Sequence, residues 1–351
     1  MDNGQTLTNP SQRGVVIGAS AGGVEALKEV VAGLPADFAA PVFVVLHIPP
    51  FVASSLPQIL SRSGPLPAIH PEDGAKIEAG HIYVAPPDHH LLIDKGFVVV
   101  KKGPRENRFR PSIDALFRSA AYIYGPNAIG VVLSGALDDG TSGLWSIKRL
   151  GGIAIVQEPN QARFESMPRS ALEHVEVDYN LPSTQIGQLL GTLVKERAMQ
   201  EAAVDSHIKT RMAIERQIAA EGGAFQKGVM ELGALTPFTC PECHGALVRI
   251  AEGKMSRFRC HTGHAYTDSA LLEGVMESTG AMLWQVIRSL EESAMLLTHM
   301  GQHLQQAGDA ARAEAFIAKA RELEKRSSTF HSDVLTHESL SGDNLAQRAK
   351  V

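Results

Sequence analysis

Cysteine is scarce in this 351-residue chain: Cys240, Cys243 and Cys260 are the only three, and they share one short region. An odd number so placed does not make a disulfide framework and suits a metal site in a reduced compartment. Runs of positive charge are missing as well. Lys and Arg total 33 against 38 Asp and Glu, a net charge of -5, with the cations scattered; this excludes the basic footprint that a nucleic-acid partner requires. The longest apolar stretches, such as 41–46, are strand-sized, far short of the roughly 20 residues of a membrane helix. No direct membrane insertion is expected. The opening MDNGQTLTNPSQ has no apolar stretch behind a basic start, so no secretory or transit signal is read and a cytoplasmic location is expected.

What is present is ordinary globular material, 44% hydrophobic and 20% charged, long enough for a sizeable core and a second, smaller unit. From residue 14 to about 190, short β-branched runs alternate with helical patterns, the signature of βαβ units and a parallel sheet. Strands are expected at 15–17, 42–46, 81–85, 98–101, 129–134 and 153–157, with helices starting near Val24, Ser112, Thr141 and Ser183. Residues 88–105, apolar on either side of Asp94-Lys95-Gly96, read as an inserted hairpin. Residues 183–232 are helical and charged and read as an exposed connecting helix with a solvated face. Residues 268–337 return to helical spacing. There Leu271, Leu272, Val275, Leu283, Val286, Ile287, Leu290, Met295 and Leu296 recur at intervals of three and four, so most are expected in a core.

Three signals carry chemistry. The first strand runs into Gly18-Ala19-Ser20-Ala21-Gly22-Gly23 and then a helix, a nucleophile-elbow pattern that presents a serine at the sheet edge beside helical N–H groups. The second strand ends in His47-Ile48-Pro49-Pro50, where the prolines forbid continuation of a central strand. A right-handed βαβ unit brings that end beside the first. A later strand leads into Ser134-Gly135-Ala136-Leu137-Asp138-Asp139-Gly140, and an acid reaches the same edge; position alone leaves Asp138 and Asp139 as alternatives. Each signal has a bland reading: a phosphate-binding turn, a loop histidine, a helix cap. Together they complete an inventory for acyl transfer, because a serine needs a base and a neutral imidazole needs a carboxylate to fix its tautomer.

With these residues in hand, the chain resembles the catalytic domain of the chemotaxis methylesterases, the CheB family. The resemblance spans about 15–190 and includes IGASAGGVEAL at 17–27, VVLHIPP at 44–50, HIYVAPPDHHL at 81–91, NRFRPSIDALFRSAA at 107–121 and GVVLSGALDDGTSG at 130–143. It implies a doubly wound α/β fold that removes methyl esters from glutamate side chains of chemoreceptor-type proteins, with deamidation of glutamine as a related activity. It assigns Ser20, His47 and Asp139 to the triad, needs no catalytic cofactor, and makes the N–H groups of Ala21 and Ala136 the candidate oxyanion donors. Arg110 is a candidate for positioning substrate, a structural ion pair being the alternative. The family's usual receiver domain has no room in the dozen polar residues before the first strand.

Beyond this region, Cys240-Pro-Glu-Cys243 and Cys260-His261-Thr-Gly-His264 have the spacing of a zinc ribbon. The fourth ligand is read as His264, with His261 and then His244 as alternatives. Four protein ligands leave no open position, so the ion is expected to be structural. The expected organisation is a disordered tail at 1–13, a methylesterase domain at 14–192, a helical linker at 193–235, a zinc-ribbon-like module at 236–268, a helical region at 269–340 suited to self-association or a protein partner, and a tail at 341–351. Two rival readings stand beside the hydrolase: a nucleotide-binding α/β protein, disfavoured because Ser20 and His47 replace the glycine and acid it needs, and a scaffold that keeps the fold without catalysis.

Overall fold

A computed structural model of the chain describes residues 13–196 and 206–337. The expected tails therefore lie outside the described residues, Arg13 apart. Described residues through Leu271 form one compact unit and those from Leu272 onward a second.

In the first unit a central sheet is laid down by β1 (Gly14–Ala19), β2 (Val42–Leu46), β3 (Ala68–Ile69), β4 (Ile82–Val84), then, after a separate antiparallel hairpin of β5 (His90–Asp94) and β6 (Phe97–Lys101), by β7 (Ala128–Val132), β8 (Ile153–Gln157) and β9 (Tyr179–Leu181). The seven strands are all parallel, in the order β3-β4-β2-β1-β7-β8-β9. The central strands are buried on both faces and carry near-continuous Val, Ile and Leu rather than an alternating pattern, as helices on both sides require. One face is covered by α1 (Gly23–Ala32), α2 (Leu56–Ser63) and α6 (Ser183–Leu193), the other by α3 (Ile113–Tyr124), α4 (Thr141–Arg149) and α5 (Ser166–His174). The fold is doubly wound α/β. Building outward from β1 in both directions creates a switch point between β1 and β7, where such sheets open a crevice at their C-terminal edge.

The helix α7 (Ser206–Glu221) departs from the solvated connector read in the sequence. It buries Met212, Glu215, Ile218 and Ala219, and a Cβ on Gly103 would come within 1.9 Å of the Ala219 carbonyl oxygen, so backbone meets backbone. Its buried charge escaped the reading because its partners are far away in sequence: Glu215 faces Arg118, Arg257 and Arg259. The cysteine-rich region forms an antiparallel sheet of β10 (Ala234–Thr239), β11 (Ala246–Glu252), β12 (Met255–Cys260) and β13 (Ala265–Thr267). This sheet belongs to the first unit rather than forming a module of its own.

A helical hairpin of α8 (Asp268–Gln306) and α9 (Ala310–His337) extends into the second unit. Most of the apolar positions expected in its core are exposed, among them Leu272, Val275, Val286, Met295 and Leu296, whereas Ile287 is buried. Two helices packed on each other alone cover only a narrow stripe of each. Among the described residues, no helix is long and apolar enough to cross a membrane.

Candidate active site and metal cluster

The register of the central strands sets the site. Ala19 pairs with Leu46, so Ser20 and His47, one residue further on, leave neighbouring strands side by side. The Ser20 N–H donates to the Ser134 carbonyl at 2.9 Å, tying the elbow to the end of β7, and the His47 N–H donates to the Ala19 carbonyl at 3.2 Å. Gly22 permits the turn into α1: its φ of 72° lies in the left-handed region, which a residue with a Cβ enters at a cost.

His47 Nδ1 lies 3.1 Å from Ser20 Oγ, and His47 Nε2 lies 2.8 Å from Asp139 Oδ2. The Phe109 ring stacks on the imidazole at 3.8 Å between centroids, with 9° between planes, which fixes the ring's plane and shields one face from water. The tautomer that serves this geometry carries its proton on Nε2, toward the acid, and leaves Nδ1 as acceptor for the serine hydroxyl. The side chains of His47 and Asp139 are both buried.

Asp139 is held by a dense set of donors. Asn107 Nδ2, at 2.8 Å, and the Ser112 hydroxyl, at 3.0 Å, donate to Oδ1. The first N–H groups of α3 add two more, Ile113 to Oδ2 at 2.8 Å and Asp114 to Oδ1 at 3.1 Å; the carboxylate thus sits at a helix N-terminus, where negative charge is stabilised. Burial raises its pKa, but the bonds from His47 and Asn107, the charge of His47 and the Ile113 N–H outweigh burial and hold it below the ordinary carboxylate value. The neighbouring Asp114 goes the other way: burial and then the charge of Asp139 push it well above the carboxylate range. One of two adjacent buried carboxyls is kept anionic and the other is driven toward the neutral form.

Of the consecutive acids, Asp139 reaches His47, and Asp138 accepts the Thr267 hydroxyl of β13 at 2.7 Å. Ala21 and Ala136 are both partly exposed beside the serine. The loop carrying Ala136 is pressed against it, since a Cβ on Gly135 would come within 2.9 Å of Ser20 Cβ. Leu137, next along, has a φ of 60°. Asp88, Asn107 and Arg108 also adopt left-handed conformations, so strained backbone gathers around the crevice, a distribution associated with functional sites. Arg110 is engaged by neighbours: Nε and Nη2 donate to Asp88 Oδ1 at 2.9 and 2.6 Å, and Nη1 donates to the Gly103 carbonyl at 2.6 Å. With Ser20, His47, Pro49, Arg105 and Phe109 it lines a cavity of about 480 Å³.

Residues 15–190 match the family model described as CheB methylesterase. The chain belongs to the CheB methylesterase family. Among its relatives is a protein-glutamate methylesterase/protein-glutamine glutaminase of Thermotoga maritima, 36% identical over 195 residues, a match covering 54% of this chain and 57% of that one. A protein of Leptospira interrogans provisionally given the same name is 42% identical over 176 residues, covering 50% of this chain and 91% of that one. The crystal structure of the Thermotoga maritima CheB methylesterase catalytic domain superposes with a TM-score of 0.51 at 36% identity, covering 52% of this chain and all of that domain. The family match ends at 190, so the cysteine-rich sheet and the helical hairpin lie outside it.

The sequence did not mark Asn107, Phe109, Ser112 or Thr267 as site residues, although it placed a helix start at Ser112. Asn107 and Phe109 sit inside the NRFRPS segment quoted for the resemblance, but no spacing rule marks a residue whose role is to hold another. In the cysteine-rich sheet, donor atoms of Cys240, Cys243, Cys260 and His264 all lie within 4.8 Å of one another. Cys243 Sγ and Cys260 Sγ are 3.5 Å apart, and His264 Nδ1 is 3.6 Å from both Cys240 Sγ and Cys260 Sγ. A disulfide needs about 2.05 Å; a tetrahedral ion with bonds of about 2.3 Å to sulfur and 2.0–2.1 Å to nitrogen sets its ligand atoms roughly 3.5–3.8 Å apart. The cluster fits a metal. His261 instead lies over Gly245, whose added Cβ would come within 2.1 Å of the ring, and His244 adopts a left-handed turn conformation between the cysteine pairs.

Proposed function

We infer that this chain is a cytoplasmic serine hydrolase that removes methyl esters from glutamate side chains of chemoreceptor-type proteins. The carrying observation is the contact sequence Ser20–His47–Asp139 at 3.1 and 2.8 Å, at a cavity on the switch-point edge of a sheet whose family is methylesterase. Ser20 Oγ attacks the ester carbonyl as His47 Nδ1 takes its proton. Asp139 keeps the other ring proton on Nε2 and stabilises the imidazolium. The N–H groups of Ala21 and Ala136 receive the developing oxyanion. Methanol leaves with the proton from His47, and water, activated by the same base, releases glutamate and restores the serine. A glutamine side chain enters the same sequence with ammonia as leaving group.

Arg110, braced by Asp88 on the cavity wall, helps to position the substrate segment. Cys240, Cys243, Cys260 and His264 hold a structural zinc ion. Its outer contacts are in place: His264 Nε2 lies 3.5 Å from Glu242, and the Tyr266 hydroxyl is 3.2 Å from Cys240 Sγ and donates to Glu242 at 3.0 Å, as orientation of ligands from outside the coordination shell requires.

The test is methanol release from methyl-esterified receptor cytoplasmic domains by the intact chain and by Ser20→Ala. Release by the wild type alone supports the reading. Equal release by both removes Ser20 from the mechanism, and release by neither removes the substrate class.

A further inference from the structure

The family match stops at residue 190, yet the triad carboxylate is supported from well beyond it. Asn107 is buried, with a φ of 51°, and both ends of its amide are engaged. Nδ2 donates to Asp139 at 2.8 Å and to Asp114 at 2.8 Å. Oδ1 accepts the Thr267 N–H of β13 at 2.9 Å. The backbone is tied to the same strand: the Asn107 N–H donates to the Ala265 carbonyl at 2.7 Å, and the Ala265 N–H donates to the Arg105 carbonyl at 3.2 Å. The Thr267 contact holds the oxygen end of the amide as the two carboxyl groups hold its nitrogen end, so β13 shares in aiming the donor at Asp139.

β13 pairs antiparallel with β12, and the two strands are joined by the turn that carries Cys260 and His264. The strand starts one residue after His264. Apart from Cys260 and His264 themselves, the turn is held by the Gly263 N–H to the Cys260 carbonyl at 3.0 Å, the Cys260 N–H to the His264 carbonyl at 3.0 Å, and Arg259 Nη1 to the Gly263 carbonyl at 2.9 Å. The apolar cluster beneath is small, and Cys240 and Cys260 are themselves part of it. In a region with so small an apolar cluster, metal at the turn adds to the buried ion pairs of Arg257 and Arg259 in ordering β12 and β13.

We propose that the Cys240, Cys243, Cys260 and His264 site, loaded with a zinc-type divalent cation, holds the triad carboxylate in position through β13 and Asn107, so that metal occupancy sets the reactivity of Ser20. Asn107 is then a positioning residue, acting through Asp139. The proposal rests on the ligand and triad readings above, and its test separates the three.

The full chain is loaded with zinc, then stripped with a chelator under reducing conditions, and metal content is measured in both states. Ser20 acylation by a fluorophosphonate, which needs the triad and no receptor, is resolved into a maximal rate and a half-saturating concentration. Amide hydrogen exchange is followed over residues 105–110. Stripping is expected to lower the maximal rate about tenfold or more, the loss of one hydrogen bond to a buried charged group, with the half-saturating concentration unchanged and exchange at 105–110 faster. Zinc restores both. Loaded Asn107→Ala is expected to show the same loss, and stripping it adds nothing further.

A stripped, folded chain that acylates at the loaded rate overturns the coupling. Should stripping unfold the chain, loaded Asn107→Ala decides alone, and a normal rate in that variant overturns it. A chain that binds no metal brings down the ligand reading and the proposal together. Acylation that follows occupancy while receptor esters go uncleaved upholds the coupling and rejects only the substrate class.

Discussion

Replacing Glu106 by Gln is expected to destabilise the first unit by about 3–5 kcal/mol, the cost of removing one partner from a buried ion pair. Glu106 is 1% exposed between Arg118, 2% exposed on α3, and Arg259, fully buried on β12. One carboxylate oxygen accepts Arg118, and the other accepts Arg259 Nη2 at 2.7 Å. Glutamine keeps one acceptor and turns the other into a donor that faces a guanidinium, leaving the buried cluster of Arg118, Arg257 and Arg259 one counter-charge short. Burial raises the Glu106 pKa, but Arg118 and then Arg259 outweigh it and hold it well below the ordinary 4.5. A depressed folded-state pKa contributes stability above the unfolded value that is lost as pH falls, so the deficit of the variant narrows below about pH 4.5. The assay is urea unfolding in a Trp284→Phe background, in which Trp145 is the only tryptophan. Trp145 lies against Gly253, in the turn between β11 and β12, and under Arg211, so its fluorescence reports the junction, while near-ultraviolet circular dichroism of Tyr83 and Tyr124, packed with Phe43 of β2, reports the parallel sheet. Both probes are expected to shift together. A loss under 1 kcal/mol, or two separate transitions in the parent protein, would refute the claim that this pair welds the two sheets into one cooperative unit.

Asp139→Asn leaves the carboxamide among the same donors but loses the anion that fixes the His47 tautomer; the maximal rate of Ser20 acylation should fall about 10⁴-fold, and a loss under tenfold would remove Asp139 from the triad. Asp138 gives a signature of opposite sign to Glu106: burial lifts it from 3.8 to about 6 against the Thr267 bond. A raised carboxyl pKa costs stability as pH climbs from the unfolded value to the folded one, by up to about 3 kcal/mol. Asp138→Asn should therefore gain on the wild type between pH 4 and 6.5 in thermal unfolding; parallel pH curves for the two proteins would show that Asp138 does not titrate there.

The meeting of Ser20, His47 and an acid was legible because each is marked locally. Ser20 follows a strand within a glycine-rich turn, His47 follows a strand and precedes two prolines, and the Asp138-Asp139 pair follows a strand and precedes a helix. Parallel βαβ topology then brings three strand ends to one edge, and local pattern is sufficient to infer it. The cysteine spacing was legible for the same reason, since two short knuckles are local features. The choice between Asp138 and Asp139 was not open to pattern, because it depends on which carboxylate meets His47 and which meets Thr267, 129 residues away from Asp138.

The sequence by itself determined the sheet, and it marked Ser20 and His47 at one sheet edge and the cysteine and histidine cluster by short spacings, all encoded in hydrophobic runs and local pattern. The tertiary structure alone decided that α7 is packed and not solvated, that its Glu215 neutralises arginines of α3 and β12, and that Asn107 spans Asp139 and β13. A buried charge or amide is indistinguishable in sequence from a solvated one, because what compensates its desolvation is a partner that only folding brings within reach.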